Sequence, residues 1–311
     1  MTRRCAVVAI LGAPNAGKST LVNALVGEKV AIVTHKVQTT RAPLRGVAMR
    51  GDVQLVLIDT PGVFAPKRRL DRAMVRAAWG ALDGADAIAH VVDAAAAARV
   101  ASGEGTGADA KAQADAETIR TTLKKAGKTA ILVLNKVDAM PRAALLGLAQ
   151  KLSAEGVYDD VFMISALTGD GVEDLATRLA ALAPEGPWLF PEDQIADAPA
   201  RVLAAETTRE KLMLRLHDEL PYETTVETET WEERKDGSVR IEQTIYVARE
   251  SQRKIAIGEK GQTVKAIGEA ARKELEATLG RRVHLFLHVK LRENWSEERA
   301  RYRALGLDYD A

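Results

Sequence analysis

The tightest constraint on this chain is an eight-residue loop, Gly12-Ala13-Pro14-Asn15-Ala16-Gly17-Lys18-Ser19. It fits the pattern G-x-x-x-x-G-K-[ST], in which glycines let backbone N–H groups turn inward around phosphate oxygens. Lys18 can then reach the β- and γ-phosphates, and the Ser19 hydroxyl can ligate Mg²⁺. The apolar run 5–11 before the loop reads as a buried strand, and a helical apolar pattern follows Thr20. Such a helix turns its positive dipole end to the same anion. A plain glycine-rich turn is the competing reading. The flanking elements favour phosphate binding, but they do not identify the nucleotide.

The rest of the first half repeats the alternation. Runs 44–49, 53–59, 87–92, 130–134 and 161–164 read as strands, and segments such as 70–82 and 172–182 read as amphipathic helices. This order predicts an α/β fold, a mostly parallel sheet with helices on both faces. Ligands of such sheets sit at the carboxyl ends of the strands, so the chemistry should follow each apolar run. Asp59-Thr60-Pro61-Gly62 follows one. Its carboxylate can hold Mg²⁺ through water, and Gly62 can bring an N–H to a γ-phosphate. Asn135-Lys136-Val137-Asp138 follows another. Asp138 could accept the N1–H and N2–H₂ of guanine while the Lys136 stem covers the ring. Adenine would leave that carboxylate facing a lone pair, a mismatch worth on the order of 10⁴-fold. Ser165-Ala166-Leu167 closes the set, with backbone N–H groups for guanine O6. Each motif has a bland reading as an ordinary turn; four in order, each at a strand end, point to GTP or GDP as ligand.

On these motifs the first half resembles a translation-factor-type GTPase domain with a P-loop. The resemblance implies GTP contacts at Gly12, Pro14, Asn15, Ala16, Gly17, Lys18, Ser19, Thr20, Asp59, Gly62, Asn135, Lys136, Asp138, Ser165, Ala166 and Leu167. It also implies a switch threonine that ligates Mg²⁺ in the GTP state. "VQTTR" offers Thr39 and Thr40, of which Thr40 is favoured; the expected Mg²⁺ set is Ser19, Thr40 and, through water, Asp59. Many GTPases position the attacking water with a glutamine after D-x-x-G. Here Val63 and then Phe64 stand there, so either hydrolysis is barely supported or something else assists it. Asn15 is the candidate: its counterpart in related GTPases with a hydrophobic residue after D-x-x-G helps hold K⁺, which could stabilise charge between the phosphates. It could also simply shape the loop. The expected catalytic set is Lys18, Asn15, Thr40 and Gly62. Residues 94–116, rich in alanine and glycine with no clear apolar face at their centre, read as a partly flexible surface insertion.

At 311 residues there is room for a second domain, and the net charge of +1 predicts no nucleic-acid partner in bulk. Its placement is uneven. Residues 216–233 hold seven acidic residues and no Lys or Arg, whereas 253–292 hold ten Lys/Arg against four Glu. One part of the second half should therefore bind a partner. Cys5 is the only cysteine, which suits a reducing cytosol. No apolar run approaches the roughly 18 residues needed to span a bilayer.

Residues 183–193, dense in proline, read as a linker in which Trp188 packs against a domain. A helix at 202–216 and a hairpin turning at Asp236-Gly237 come next. Gly258-Glu259-Lys260-Gly261 is a G-x-x-G loop opening a helix whose Val264, Ile267, Ala271 and Leu275 share a face. Two glycines let a nucleic-acid backbone approach between helices, with a cation and a helix N-terminus to meet phosphate. A tight helix–helix turn is the bland alternative. His284 and His288 read as ordinary strand residues, and no Cys/His cluster offers a zinc site.

This half is similar to a type II KH RNA-binding domain, smaller and α+β, with Ile257, Gly258, Glu259, Lys260, Gly261 and Lys265 in the RNA-binding places. A GTPase domain followed by such a domain resembles the Era family of bacterial ribosome-associated GTPases over nearly the whole chain, carried by "QTTR", "DTPG", the spacing around Ile257 and "VHLFLHVK". The resemblance implies a GTPase domain at 1–183, a linker at 184–200 and a KH domain with a C-terminal tail at 201–311. It implies a cytoplasmic monomer that binds the 3′ end of 16S rRNA and assists maturation of the small ribosomal subunit. The family also shows peripheral inner-membrane association, for which the sequence holds no dedicated segment. Two rivals stand beside this reading: a signalling GTPase that docks a protein, and a passive RNA-binding adaptor with structural nucleotide.

Overall fold

The computed structural model describes residues 2–216 and 220–311, so Asp218 and Glu219 of the acidic stretch lie outside it. The chain divides into two compact units. The first comprises the residues up to Val33, Thr40–Asp197 and Arg303–Ala311; the second comprises Thr34–Thr39 and Ala198–Tyr302.

In the first unit the elements run β1 (Arg4–Gly12), α1 (Lys18–Val26), β2 (Leu44–Arg50), β3 (Val53–Asp59), α2 (Arg69–Gly80), β4 (Ala87–Asp93), α3 (Ala94–Ala101), α4 (Gly107–Lys125), β5 (Ala130–Asn135), α5 (Arg142–Ser153), β6 (Tyr158–Met163) and α6 (Val172–Leu182). The sheet order is β2-β3-β1-β4-β5-β6, parallel throughout except for β2, which pairs antiparallel with β3. β1 is apolar at almost every position because helices cover both faces of the sheet. Ala6, Val8 and Ile10 pack with α1 and α6, whereas Ala9 and Leu11 pack on the opposite face with Ile119 and Leu123. Helix α6 buries Val172, Leu175, Ala176 and Leu179, the three- and four-residue spacing of one helical face.

Residues 94–116 are not a partly flexible insertion. They form α3 and the start of α4, and Ala94 to Ala97 are buried. The error has a physical cause. Alanine is the strongest helix former, yet a buried alanine face has too little bulk to register as an apolar stripe. Both helices are capped: Asp93 Oδ1 accepts from Ala96 N at 2.9 Å, and Asp109 Oδ2 accepts from Thr106 N at 2.9 Å. Arg99 pairs with Asp109 at 2.6 Å and, with the Thr106 cap, holds that carboxyl well below the usual range.

The proline-rich stretch packs along the first unit. Gln54 Oε1 accepts from Leu189 N and Phe190 N, and Trp188 Nε1 donates to Asp52 O at 3.1 Å.

The second unit contains α7 (Ala200–Arg215), β7 (Thr224–Glu233), β8 (Val239–Val247), α8 (Glu250–Ile257), α9 (Gln262–Leu279), β9 (Val283–Leu291) and the short α10 (Arg299–Ala304). β8 is central, antiparallel to β7 and parallel to β9. Val239, Ile241, Ile245 and Val247 are buried on one parity, and Ile267 and Leu275 of α9 pack with them. The hairpin turns on Gly237, whose φ of 81° only glycine adopts readily.

Candidate nucleotide and RNA sites

Four strand ends supply the first site, as the parallel topology requires. The loop after β1 is shaped by two glycines that cannot be replaced. A Cβ on Gly12 would lie 2.5 Å from Val91 O; one on Gly17, at φ 97°, would lie 2.2 Å from Asn135 Nδ2. Lys18 is 6% exposed, and its ammonium donates to Gly12 O and Ala13 O at 3.1 and 2.9 Å. Burial lowers its pKa to about 8, partly offset by the carboxylate of Asp59. Asn15, with φ 63°, is exposed on the loop.

Three oxygens converge beyond the lysine. Ser19 Oγ lies 2.7 Å from Asp59 Oδ2 and 2.9 Å from Thr40 Oγ1, and Thr40 Oγ1 donates to Asp59 Oδ2 at 3.0 Å. Asp59 is fully buried, which raises its pKa, and among the described residues its Oδ1 has no partner. A set of hard oxygen donors with a buried, unsatisfied carboxylate oxygen suits Mg²⁺. Of the two switch threonines, Thr40 stands in this cluster; Thr39 Oγ1 instead engages Thr34 Oγ1 and Lys36 O at 2.7 and 2.8 Å. Gly62 abuts the phosphate loop, since a Cβ there would fall within 2.9 Å of Pro14. Val63 is buried in the apolar core and its N–H donates to Gly12 O at 3.1 Å. It carries no group that could orient water.

Asn135 ties the remaining strand ends together. Its Nδ2 donates to Ala16 O at 2.8 Å, and its Oδ1 accepts from Ala166 N at 2.9 Å. One amide thus fixes the phosphate loop against the 165–167 loop. Lys136, at φ 66°, donates to Asp93 Oδ2 at 2.6 Å. Asp138 is exposed in the next turn, Ser165 is buried, and Leu167 is 79% exposed. Thr20 follows Ser19 in the first turn of α1. Asp93 is the residue that sequence reasoning missed. It ends β4 as Asp59 ends β3, so the strand-end rule applied to every strand would have found it.

The second site lies between α8 and α9. Gly258 has φ 75°, and a Cβ on it would meet Thr263 Oγ1 at 2.2 Å, so glycine alone lets the loop close on the first turn of α9. Lys260 and Gly261 also adopt positive φ, 50° and 78°. Glu259, Lys260 and Lys265 are exposed, Ile257 is half-buried, and Ile255 is 57% exposed beside them. An apolar surface next to cations and a tight glycine loop can receive stacked bases and phosphate.

Comparison with known proteins gives concordant findings. A family model described as 50S ribosome-binding GTPase matches residues 7–136, and one described as KH domain matches 219–296. The chain is 60% identical to GTPase Era of Caulobacter vibrioides over 99% of its length and 97% of the relative. For GTPase Era of Maricaulis maris the identity is 58%, over 99% and 98%. Among solved structures it is similar to Era in complex with MgGDPNP and nucleotides 1506–1542 of 16S ribosomal RNA. The TM-score is 0.87 at 36% identity, covering 98% of this chain and 99% of that one. A point variant of Aquifex aeolicus Era bound to GDP·AlF₄⁻ gives 0.86 at 36% identity, covering 97% and 99%.

Proposed function

The chain belongs to the Era family of GTPases, and from that membership we propose a GTP-gated switch that binds the 3′ end of 16S rRNA while the small ribosomal subunit matures. It binds GTP and hydrolyses it to GDP and phosphate. The observation that carries the proposal is the bonded continuity of the nucleotide site, from Ser19 through Thr40 to Asp59 and from the phosphate loop through Asn135 to Ala166, in a chain that also holds the Gly258–Gly261 loop.

We assign the switch to residues 1–183 and RNA recognition to 201–311, joined by 184–200. Lys18 and the loop N–H groups from Pro14 to Thr20 hold the phosphates, and Gly62 offers an N–H to the γ-phosphate. Ser19, Thr40 and, through water, Asp59 would hold Mg²⁺, which neutralises charge on the phosphates. Asp138 reads guanine, the Lys136 stem covers its ring, and Ser165, Ala166 and Leu167 offer N–H groups to O6. Because Val63 cannot position water, we assign Asn15 to hold K⁺, which would supply positive charge to offset the charge that develops on the phosphates. GTP orders the segment around Thr39 and Thr40, which raises RNA affinity; hydrolysis releases it. Ile257, Gly258, Glu259, Lys260, Gly261 and Lys265 meet the RNA.

Among the described residues no helix is long and apolar enough to cross a membrane. We place the protein in the cytoplasm as a monomer, and peripheral inner-membrane contact has no dedicated segment to support it.

Changing Glu259 and Lys260 together to aspartate tests the assignment of RNA binding to this loop. The glycines stay, so the turn stays, while two carboxylates now face phosphate. Affinity for the rRNA fragment should fall and its salt dependence should flatten by roughly 0.7 per lost contact. Basal GTP turnover and melting temperature should not move. Unchanged RNA affinity would favour the protein-docking rival.

A further inference from the structure

Asp93 closes β4 with both carboxylate oxygens engaged. Oδ1 accepts from Ala96 N at 2.9 Å and caps α3, while Oδ2 accepts from Lys136 Nζ at 2.6 Å. The carboxylate stands on rigid elements. Asp93 pairs in register with Asn135 of β5, and Ala94 to Ala97 bury the start of α3 just after the cap. The Asp93 side chain is 14% exposed, against 36% for that of Lys136.

Stability alone does not account for this pair. Lys136 holds its backbone in the left-handed region, at φ 66°, which a lysine adopts only at a cost. A part-exposed ion pair returns little once side-chain entropy is counted. Glycine would meet the backbone requirement without strain, so a lysine there has its use in the side chain. That side chain is a flexible four-carbon stem with a cation at its end. Left free, it would have to be ordered each time a base arrives, at the cost of its rotamer freedom. With the ammonium already held by Asp93, the stem is ordered beforehand. Its base is held as well, because Lys136 follows Asn135, whose amide joins the phosphate loop to the 165–167 loop.

We propose that Asp93 is a positioning residue for guanine binding: it holds the Lys136 ammonium so that the stem stands as a preformed wall against the face of the ring. The inference rests on the assignment of that stem to the guanine ring. The stem covers a face and reads no edge. Asp93 therefore adds affinity by preorganisation, while selectivity among bases stays with Asp138.

A cycle of variants in the full chain with Mg²⁺ tests this, read by displacement of a ribose-labelled fluorescent GDP. Asp93→Asn can keep the cap on α3 but turns an amide N–H₂ toward the ammonium, and Lys136→Met keeps the stem without its charged head. Each should raise the GDP dissociation constant about tenfold, the factor matching the rotamer freedom that one long side chain regains. The double variant should be no weaker than either single one. Lys136→Gly, which suits the φ of this position and removes the stem, should bind GDP more weakly still. Inosine diphosphate, which lacks only the guanine N2 amine, should lose the same factor as GDP in Asp93→Asn. Asp93→Ser, whose hydroxyl can cap α3 but falls short of Lys136, takes the place of Asp93→Asn if that variant does not fold. Wild-type affinity in Asp93→Asn beside a weakened Lys136→Gly would overturn the proposal and leave Asp93 a helix cap, as would losses that add in the double variant. Wild-type affinity in Lys136→Gly would remove the ring-covering stem itself, and the proposal with it.

Discussion

Asn135 does at the residue scale what the whole site needs: one amide holds two loops that the sequence separates by 150 positions, at Ala16 and Ala166. It therefore has little freedom to read a base, and Asp138, exposed in the next turn, has the freedom that Asn135 lacks. If Asp138 accepts guanine N1–H and N2–H₂, Asp138→Asn should lose GTP by on the order of 10⁴-fold and gain xanthosine triphosphate, whose ring reverses the pattern. Competition binding of the two nucleotides measures this, and undiminished GTP binding would remove Asp138 as the reader. Asn15 carries a separate prediction. Turnover should be faster in K⁺ than in Na⁺ at matched ionic strength, and Asn15→Ala should erase the difference. Equal wild-type rates in the two salts would dismiss the cation. The motif residues were legible because each has one chemical task at a fixed spacing. Asp93 was within reach of the same strand-end rule and was passed over, whereas His90 was not legible, since a histidine within a strand has no signature until Tyr158 is seen beside it.

Among the elements, the bulky apolar runs of the sheet could be read directly, and the six strands of the first unit appear in their expected places. The alanine-rich helix α3 could not, because its buried Ala94 to Ala97 form no visible stripe, and the start of α4 could not because its alanines are exposed or half-buried and the bulky Ile119 and Leu123 come only later in the helix. β4 has a further consequence for stability. Burial, with Arg120 and Lys18 nearby, lowers the His90 pKa to about 3, against about 6.5 for an unfolded histidine. Above pH 6.5 neither state holds the proton and the group costs nothing. As pH falls below 6.5 the unfolded chain takes up a proton that the folded chain refuses, so stability declines until about pH 3. Between pH 6.5 and 5 the loss attributable to this residue is about 2 kcal/mol. Urea unfolding at pH 7 and 5 should show that difference shrinking by about the same amount in His90→Phe. An unchanged pH dependence would mean the imidazole is protonated in the fold.

For the whole molecule, the two-domain architecture was readable from the change between strand–helix alternation and the hairpin with its G-x-x-G loop. How the halves communicate was not, because coupling depends on a nucleotide state that no local pattern encodes. The comparisons join a GTP analogue and 16S rRNA on a relative that matches this chain end to end. That makes GTP-dependent RNA affinity the central claim. Its most direct test is a fluorescence-anisotropy titration of the 3′-terminal 16S rRNA fragment with the full chain, loaded with a non-hydrolysable GTP analogue or with GDP, in Mg²⁺ and K⁺. The account predicts markedly tighter binding in the GTP-analogue state, by five-fold or more, an allosteric coupling on the order of 1 kcal/mol. Equal affinity in the two states would contradict it and leave a passive RNA-binding adaptor.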